Sequence, residues 1–364
     1  MKILIVQDYL RSGGTERQSV LLANALSAAG HATTLLTFRP GGALASSVSS
    51  QVTRLCLQPF DCGLDWFAPG LTAAARAPAF ELILCMGRMA NCYAGRLQRA
   101  CPTSTVIATM RTGKPLPALF RASLHTARHV VANSHEARAT LTGRYEIPAD
   151  KISVIHNSLV FPASAAPDSA TALRAQHGAT ATTKILLNVA MFRPEKNQRE
   201  LIRLAAGLPD SVDWQLWLAG EGPARAACEQ LASKLGLTER VRFLGFLRDP
   251  APLYAAADIA VHASASESLS NFLIEAQAHG LPAVAYTAQG IGECFIPGRT
   301  GWVIAREDRA AFHAALAPLF QLSESARAEL ATAARTYART TFDPGRQVTA
   351  YLDLFTRLHP RAKP

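Results

Sequence analysis

Two glutamates in the second half of the chain are the residues whose type and spacing most directly suggest chemistry. Glu267 and Glu275 are separated by seven residues and follow the apolar run 258–262, which predicts a buried strand that leads through a polar loop into a helix. Ser270 or Asn271 is the expected N-cap of that helix. The N–H groups of a helix N-terminus attract phosphate, and a carboxylate can accept hydrogen bonds from vicinal hydroxyls such as those of ribose. The pattern therefore predicts a site for a sugar, a diphosphate and a ribose, with Glu275 on the ribose and Glu267 on another set of polyol oxygens.

A lysine and two glycines extend this predicted phosphate chemistry. Lys196 follows a predicted strand through Arg193, in a loop where an ammonium group would neutralise a diphosphate leaving group, although solvated loop lysines are common. Gly13 and Gly14 lie between the first predicted strand and helix, where the lack of a Cβ lets a phosphate or sugar approach the backbone. A tight turn uses the same pair of glycines, so both interpretations stay open.

Composition limits the class of protein. The chain has 364 residues, 49% hydrophobic and 18% charged, which suits two soluble α/β domains. No apolar stretch is long enough for a membrane-spanning helix, and the apolar start of the chain reads as a first strand rather than a signal peptide. The seven cysteines include no Cys-x2-Cys pair, which favours reduced thiols and a cytoplasmic location. No Asp-x-Asp pair and no cluster with metal-ligand spacing occurs, so we predict neither a catalytic metal nor a cofactor.

Strand and helix patterns alternate along both halves of the chain, which predicts two doubly wound parallel sheets. A helix is expected over 16–30, and the tail 343–358 reads as a helix with no strand after it. The Pro/Ala/Ser-rich stretch that begins at Val160 interrupts the alternation. The predicted strands are 3–6, 33–37, 82–85, 105–108, 129–132 and 152–155, followed by 185–189, 215–219, 241–244, 259–262, 283–285 and 301–304.

The net charge of +10 is concentrated in the first half of the chain. Residues 1–160 carry 16 Lys and Arg against 8 acidic residues, which predicts an anionic partner such as a phospholipid surface or a phosphorylated acceptor. In 116–128, Leu116, Leu119, Phe120 and Leu124 are expected on one side and basic residues on another. This pattern fits a helix at an anionic membrane surface and equally a helix packed on the core. No nucleic-acid-binding motif is present, and we predict no nucleic-acid partner.

The motifs, taken in order along the chain, resemble those of retaining glycosyltransferases with the GT-B fold, family 4 in particular. The resemblance implies two Rossmann-like domains that face a cleft. It assigns 1–160 to an acceptor domain, 161–183 to a linker, 184–342 to a nucleotide-sugar donor domain, and 343–364 to a tail that crosses back to the first domain. The matching segments are Gly13-Gly14-Thr15-Glu16, 131–134, 154–157, Pro194-Glu-Lys196-Asn, 218–223, 243–246, Tyr254-x3-Asp258, Glu267-x7-Glu275, 280–284 and 298–301.

The resemblance also implies roles for individual residues. Lys196 and Glu267 would be catalytic, with Lys196 on the diphosphate, and Arg193 would assist it. Thr15 and Glu16 would contact the acceptor or merely cap the first helix. The nucleobase would lie against Leu247 or Arg248. The remaining donor-binding residues would be Glu275, Leu269, Ser270, Asn271, Phe272, Gly13 and Gly14.

Two positions depart from the family pattern. Met191 stands where family members commonly have an arginine five residues before the lysine, and Arg193 would fill the same space. Arg111 stands where many members have a histidine near the donor sugar. A guanidinium cannot act as a base at neutral pH, so we expect Arg111 to bind an anion or a sugar hydroxyl. The structural alternative is that it pairs with an acid such as Glu16.

The function implied is the metal-independent transfer of a hexose-type sugar, with retention, from a nucleoside diphosphate donor (UDP favoured) to a glycan or lipid-linked acceptor. Bacterial cell-surface polysaccharide or lipopolysaccharide synthesis, in the cytoplasm at the inner face of the membrane, is the implied setting. Two rivals share the fold: a non-hydrolysing sugar-nucleotide epimerase, and a non-catalytic subunit that binds a sugar nucleotide. The sequence names neither the sugar, the base nor the acceptor.

Overall fold

The protein divides into two compact units, each built around a parallel β-sheet. The first unit comprises Met1–Ser158 and Pro344–Pro364, and the second comprises Leu159–Asp343. Apolar side chains cover both faces of each sheet, which confirms the predicted α/β class with two doubly wound sheets. The computed structural model describes residues 1–76, 78–159, 161, 167–247 and 249–359.

The first sheet is formed mainly by short apolar runs, as expected for parallel strands buried on both faces. In chain order its strands are β1 (Lys2–Gln7), β2 (Ala32–Thr37), β3 (Thr53–Cys56), β4 (Leu82–Cys85), β5 (Thr105–Met110), β6 (His129–Ala132) and β7 (Ile152–Val154). Their order across the sheet is β3-β2-β1-β4-β5-β6-β7. The strand order reverses between β1 and β4, so a topological switch point lies at their carboxyl ends.

The helices of the first unit lie on both faces of its sheet. Helix α1 (Gly14–Ala28) packs on one face through Val20, Leu22 and Leu26. The other face is covered by α2 (Leu71–Arg76), α3 (Arg88–Ala100), α4 (Ala118–Thr126) and α5 (His135–Gly143).

The second sheet repeats this design. Its strands are β8 (Lys184–Val189), β9 (Trp214–Ala219), β10 (Val241–Gly245), β11 (Ile259–His262), β12 (Ala283–Tyr286) and β13 (Gly301–Ile304), in the order β10-β9-β8-β11-β12-β13. The switch point therefore lies between β8 and β11. The helices of this unit are α6 (Pro167–Gln176), α7 (Gln198–Ala205), α8 (Arg225–Lys234), α9 (Ala251–Ala256), α10 (Asn271–His279), α11 (Arg309–Phe320) and α12 (Glu324–Thr341).

The C-terminal helix α13 (Pro344–Leu358) belongs to the first unit and is fixed there by polar and apolar contacts. The Gln347 Nε2 group donates to Gln18 Oε1 at 3.0 Å, and the Gln347 Oε1 atom accepts from the Ser158 hydroxyl at 2.8 Å. Tyr351 and Phe355 are fully buried in the core that α1 also lines. Because these amide and hydroxyl groups satisfy one another, the buried network stabilises a single position of the helix.

Three sequence expectations need correction or restriction. The edge strand β3 was missed, because its residues are exposed and lack an apolar pattern. The segment 161–183 expected as a linker contains α6, and its residues 162–166 lie outside the described part of the chain, as does Arg248.

The prediction of which residues form the apolar side of α4 is also wrong for one residue, Leu119. Leu116, Phe120 and Leu124 are buried, but Leu119 is 70% exposed. Residues four apart share one stripe of a helix, whereas Leu119 is rotated about 100° from Phe120. The stripe therefore packs on the core, and Leu119 points to solvent.

Candidate functional site

The loops after the carboxyl ends of β8 and β11 carry Lys196 and Glu267, the two side chains that the family resemblance predicts to be catalytic. A short 3-10 turn, Pro194–Lys196, follows β8, and Arg193 is its half-buried N-cap. The turn ends at Asn197, which has a left-handed backbone (φ 53°) that asparagine tolerates better than most residues. Two hydrogen bonds to the Glu195 carbonyl, from Ala265 N (2.8 Å) and the Ser264 hydroxyl (3.0 Å), fix this turn to the loop after β11. Both loops at the switch point therefore form one continuous structure.

Lys196 and Glu267 meet in this structure. The Lys196 Nζ atom lies 2.5 Å from Glu267 Oε1, and the carboxylate side chain is only 9% exposed while the lysine is 27% exposed. Burial raises the pKa of Glu267, but the charge of Lys196 and the contact with His262 outweigh burial and lower the pKa to about 2. Glu267 is therefore a fixed carboxylate at neutral pH, and it holds a partly exposed cation at the switch point.

His262 is a third member of this cluster, and sequence reasoning missed it. Its Nε2 atom lies 3.2 Å from Glu267 Oε1, and its ring packs 5.9 Å from the ring of Phe272. The side chain is buried, and its Nδ1 atom has no hydrogen-bond partner among the described residues. The only signal was its place as the last residue of the apolar run that forms β11, where a histidine interrupts otherwise apolar types.

Helix α10 begins where the spacing of polar residues predicted. Ser270 is its N-cap, with the hydroxyl accepting from Leu273 N at 3.5 Å, and Gly280 ends the helix in a left-handed conformation (φ 85°). Leu269 and Phe272 on either side of the cap are buried in the core, whereas Asn271 is half-buried. The buried apolar neighbours fix the direction of the helix, so its N-terminus lies in the same loop region as Glu267.

Glu275 lies in the second turn of α10 and is oriented by a tyrosine that the sequence had not assigned a role. The Tyr254 hydroxyl donates to Glu275 Oε2 at 2.5 Å. The ring of Tyr254 stacks on the rings of Phe272 (6.1 Å between centroids) and His279 (4.8 Å). Tyr254 is 2% exposed, so the carboxylate that would meet ribose is positioned by a side chain fixed in the core.

The loops after β9 and β10 reach the same edge of the sheet. A Cβ at Gly220 (φ 137°) would lie 2.1 Å from the Ala190 carbonyl oxygen, and one at Gly222 (φ 151°) would lie 2.3 Å from that of Phe192. Only glycine allows this backbone and this close approach, which brings the loop after β9 against the chain leading to Lys196. Leu247, expected at the nucleobase, is half-buried after the end of β10.

In the first unit, Gly13 is the N-cap of α1 and Gly14 and Thr15 are its first residues. The conformation of Gly13 (φ −76°) is open to any residue, and the atoms nearest to an added Cβ belong to the flexible end of the Glu16 side chain, so the fold itself does not require a glycine there. A Cβ on Gly13 would lie 2.5 Å from Glu16 Oε2, because the Glu16 carboxylate folds back over the helix start. This carboxylate places negative charge beside the glycines that the resemblance assigned to donor phosphates.

A buried carboxylate occupies the switch point of the first unit. The two Asp8 oxygens accept from Met89 N (2.9 Å) and Ala90 N (2.6 Å) in the first turn of α3. Burial raises the pKa of Asp8 to about 7, although these backbone hydrogen bonds oppose the shift. A Cβ at Gly87 would lie 2.2 Å from Asp8 Oδ1, so the glycine before α3 makes room for this cap.

Arg111, at the position where the chain leaves the family pattern, is bonded within the first unit. Its Nη1 group donates to Asn157 Oδ1 at 2.5 Å and its Nη2 group donates to the Tyr351 hydroxyl at 2.7 Å. Its Nε atom is buried, with no hydrogen-bond partner in the described part of the chain. The guanidinium thus joins the end of β5 to α13, through an amide and a phenol rather than through the acid that the structural alternative expected.

Comparison with protein families matches both halves of the chain. The family described as "Glycosyl transferases group 1" matches residues 169–339, and the one described as "Glycosyltransferase Family 4" matches residues 12–159. The first match contains Lys196, Glu267 and Glu275, and the second contains Gly13 and Arg111.

Individual proteins give a consistent picture. N-acetyl-alpha-D-glucosaminyl L-malate synthase of Bacillus anthracis is 33% identical over 36% of this chain and 35% of its own length. The lipopolysaccharide core biosynthesis glycosyltransferase LpsE of Rhizobium meliloti is 32% identical over 39% and 41%. The chain thus spans less than half the length of these curated relatives. The solved structure of Anabaena Alr3699/HepE in complex with UDP covers 98% of this chain and 100% of its own with a TM-score of 0.83; at 22% identity this shows the fold alone.

Proposed function

Because the chain belongs to the group 1 glycosyltransferases of the GT-B fold, we propose that it transfers a hexose-type sugar from a nucleoside diphosphate donor to a hydroxyl group of a glycan or lipid-linked acceptor. UDP is the proposed nucleotide, in line with the UDP-bound structure of similar fold. Relatives in lipopolysaccharide core synthesis support a role in a bacterial cell-surface polysaccharide. The proposal includes retention of configuration, independence of a metal, and a location in the cytoplasm at the inner face of the membrane.

The observation that carries this proposal is the Lys196–Glu267 pair at the switch point of the second sheet. The lysine is held at 2.5 Å by a buried carboxylate yet keeps 27% of its side chain exposed. An ammonium group in this position opposes the charge that develops on the β-phosphate when the sugar leaves. The N-terminus of α10, which begins at Asn271, adds a second positive potential.

The other residues of the site bind the donor. Glu275, oriented by the Tyr254 hydroxyl, accepts hydrogen bonds from the two ribose hydroxyls. Glu267 meets the polyol oxygens of the sugar while it pairs with Lys196. In the proposed same-face substitution, the bond from the anomeric carbon to the phosphate oxygen breaks as the acceptor oxygen bonds to that carbon. The acceptor proton passes to the leaving phosphate oxygen, so no protein base is required.

The test is a donor screen followed by product analysis. Thermal-shift measurements with UDP-, GDP- and ADP-sugars should select a UDP-sugar, and the matching donor with a glycan acceptor should release UDP in the presence of EDTA. The NMR coupling of the anomeric proton in the product should match that of the donor. An isomerised sugar nucleotide formed without acceptor would indicate the epimerase instead. Tight nucleotide binding with neither transfer nor donor hydrolysis across the panel would indicate a non-catalytic subunit.

A further inference from the structure

A loop of the first unit exposes an unusual set of apolar side chains. It runs from Leu57 to Gly70, between β3 and α2, and we call it the aromatic loop. Isolated exposed apolar residues are ordinary, but several in one short loop indicate a contact surface. The exposed side chains are Phe60 (70%), Leu64 (40%), Trp66 (57%) and Phe67 (38%).

The aromatic loop is held in shape by its own hydrogen bonds. The buried Gln58 amide donates to the carbonyls of Leu64 (2.9 Å) and Phe67 (2.7 Å), and it accepts from Cys62 N at 3.3 Å. The Tyr93 hydroxyl of α3 donates to the Trp66 carbonyl at 2.6 Å. These hydrogen bonds fix the backbone of the loop while its apolar side chains stay exposed.

Ion pairs neutralise the two acids of the aromatic loop. Arg39 bonds to both Asp61 and Asp65 at 2.7 Å, and Arg11 bonds to Asp65 at 2.7 Å, while both guanidinium groups lie over the ring of Tyr9. The hydrogen bonds from Arg39 and from Gly63 N lower the pKa of Asp61 to about 2. The charges of these two arginines therefore balance those of the two aspartates. The aromatic loop as a whole has no net negative charge beside its exposed rings.

The helices next to this loop form a strongly basic layer. Helices α2, α3 and α4 pack side by side on the same face of the sheet, and between Glu81 and Glu136 the sequence has no acidic residue but seven Lys and Arg. Leu119 of α4 is 70% exposed within this layer. The exposed basic side chains of the layer are Arg76, Arg96, Arg99, Arg121 and Arg128.

We propose that the aromatic loop and this basic layer together dock the protein on an anionic lipid bilayer. Tryptophan and phenylalanine rings enter the interfacial region of a bilayer, and each arginine near an anionic surface strengthens binding about fivefold. The stretch between Glu81 and Glu136 carries seven basic residues and no acidic one, which matches an anionic bilayer, whose surface potential is uniformly negative, better than a protein surface that carries both signs of charge. This surface does not use the apolar stripe of α4, which is buried, so of the two alternatives left open by the sequence for that helix the core-packed one holds.

The benefit of such docking rests on the proposed function, since it would bring the enzyme to a lipid-linked acceptor. Binding to vesicles requires neither donor nor acceptor. Sugar transfer to a soluble acceptor requires no vesicle. The two proposals can therefore fail separately.

The experiment is co-sedimentation of the full chain with vesicles of phosphatidylglycerol and phosphatidylcholine (1:1) and with vesicles of phosphatidylcholine alone. We expect binding to the anionic vesicles that weakens steeply with salt, and at least tenfold weaker binding to the neutral ones. Two variant pairs, Phe60→Ser with Trp66→Ser and Arg96→Gln with Arg99→Gln, should each reduce the partition coefficient roughly tenfold or more. Both pairs change exposed side chains, so their melting temperatures should match the unaltered protein.

Matched control variants in the second unit test whether vesicle binding depends on where the basic and apolar side chains lie or only on their number. Lys234→Gln with Arg299→Gln removes the same charge from exposed positions, and Leu235→Ser removes an apolar side chain that is 41% exposed. These controls should bind anionic vesicles normally. Equal loss in the controls, or equal binding to both kinds of vesicle, would overturn the proposal. So would a concentration-dependent dimer, or an oligonucleotide complex, that the Phe60/Trp66 variant abolishes, because the surface would then belong to a second copy or to nucleic acid.

Discussion

The switch points of the two sheets have the same topology, but the charged side chains at them differ. The second holds a partly exposed lysine, and the first holds a buried carboxyl group. In the second unit, Glu267 is paired with Lys196, whose side chain remains 27% exposed. In the first unit, Asp8 already caps the N-terminus of α3, so that helix start is occupied by a carboxylate of the chain itself. The second switch point therefore keeps a partly exposed cation that an anion could meet, whereas the helix start at the first switch point is already satisfied by Asp8.

The difference shows that fold alone does not define an anion site. Parallel sheets place helix N-termini at every switch point. Whether such an N-terminus can bind a ligand depends on whether a side chain of the protein already accepts hydrogen bonds from its N–H groups. Glu16, folded over Gly13, has a similar effect at the start of α1. At both helix starts of the first unit, a carboxyl group of the chain itself therefore lies where an anion would otherwise bind.

The largest expected effect comes from removing the cation of the second switch point. Lys196→Ala should lower kcat by about 10²–10³-fold with a smaller change in KM, because the charge on the leaving group grows in the transition state. Steady-state kinetics with the intact donor measure it, and Lys234→Ala serves as the control for loss of one lysine in the same unit. A variant with a raised donor KM and normal kcat would assign Lys196 to ground-state binding alone.

The two switch-point carboxylates should give opposite dependences of stability on pH. The pKa of folded Asp8, about 7, lies above its unfolded value of 3.8, so its contribution to the free energy of unfolding is full below about pH 4 and is lost as pH rises towards 7. The pKa of Glu267, about 2, lies below its unfolded value of 4.5, so its contribution is present above pH 4.5 and lost as pH falls through 2.

Denaturant unfolding of Asp8→Asn and Glu267→Gln across this range tests both signs. Asp8→Asn should remove the loss of stability between pH 4 and 7, which is on the order of 4 kcal/mol at most since one pKa unit corresponds to about 1.4 kcal/mol. Glu267→Gln should flatten the acid side instead. If stability of the unaltered protein relative to Asp8→Asn were independent of pH between 4 and 7, Asp8 would be an ordinary ionised helix cap.

A smaller effect is expected at the ribose end of the site. Glu275→Ala should weaken UDP binding by roughly 1.5–3 kcal/mol, because hydrogen bonds to a charged acceptor are lost. Tyr254→Phe should weaken it by a fraction of that amount, since it removes only the hydrogen bond that orients the carboxylate. Calorimetry with UDP gives both values. Unchanged affinity in Glu275→Ala would remove this residue from the ribose site, and a Tyr254→Phe loss equal to that of Glu275→Ala would indicate a general disturbance of α10.

Much of the fold followed from the sequence because buried parallel strands are continuous apolar runs. The apolar runs 3–6 of β1, 82–85 of β4 and 259–261 of β11 are completely buried, so the positions of these strands could be predicted within a residue or two. The edge strand β3 could not, because exposed strands need no apolar pattern. Helix α6 was missed because the Pro/Ala/Ser composition around it resembles that of a linker.

In the candidate site, features set by neighbouring residues in the sequence could be predicted, whereas contacts between residues far apart in the sequence could not. The spacing of Glu267, Ser270 and Glu275 is local, so the loop, the cap and the helix could be inferred together. Tyr254 and His262 act through contacts that only the folded sheet creates, since Tyr254 reaches Glu275 across 21 positions of sequence. The family pattern included Tyr254 but gave it no role, and nothing in the sequence singled out His262 as part of the site.

The smallest effect is expected at Arg111, where the structure favours a role inside the first unit. Its hydrogen bond to Tyr351 predicts that Arg111→Ala and Tyr351→Phe each lower the free energy of unfolding of the first unit, and that a double-mutant cycle gives a coupling of about 1–2 kcal/mol. Arg144→Ala, also in the first unit, is the matched control for loss of one arginine.

Kinetics on paired charged and neutral substrates complete the test of Arg111. Equal losses for both, together with the lowered stability, would leave Arg111 as the link between β5 and α13. A selective loss for the charged substrate at unchanged stability would instead support the anion-binding role that the sequence predicted for Arg111.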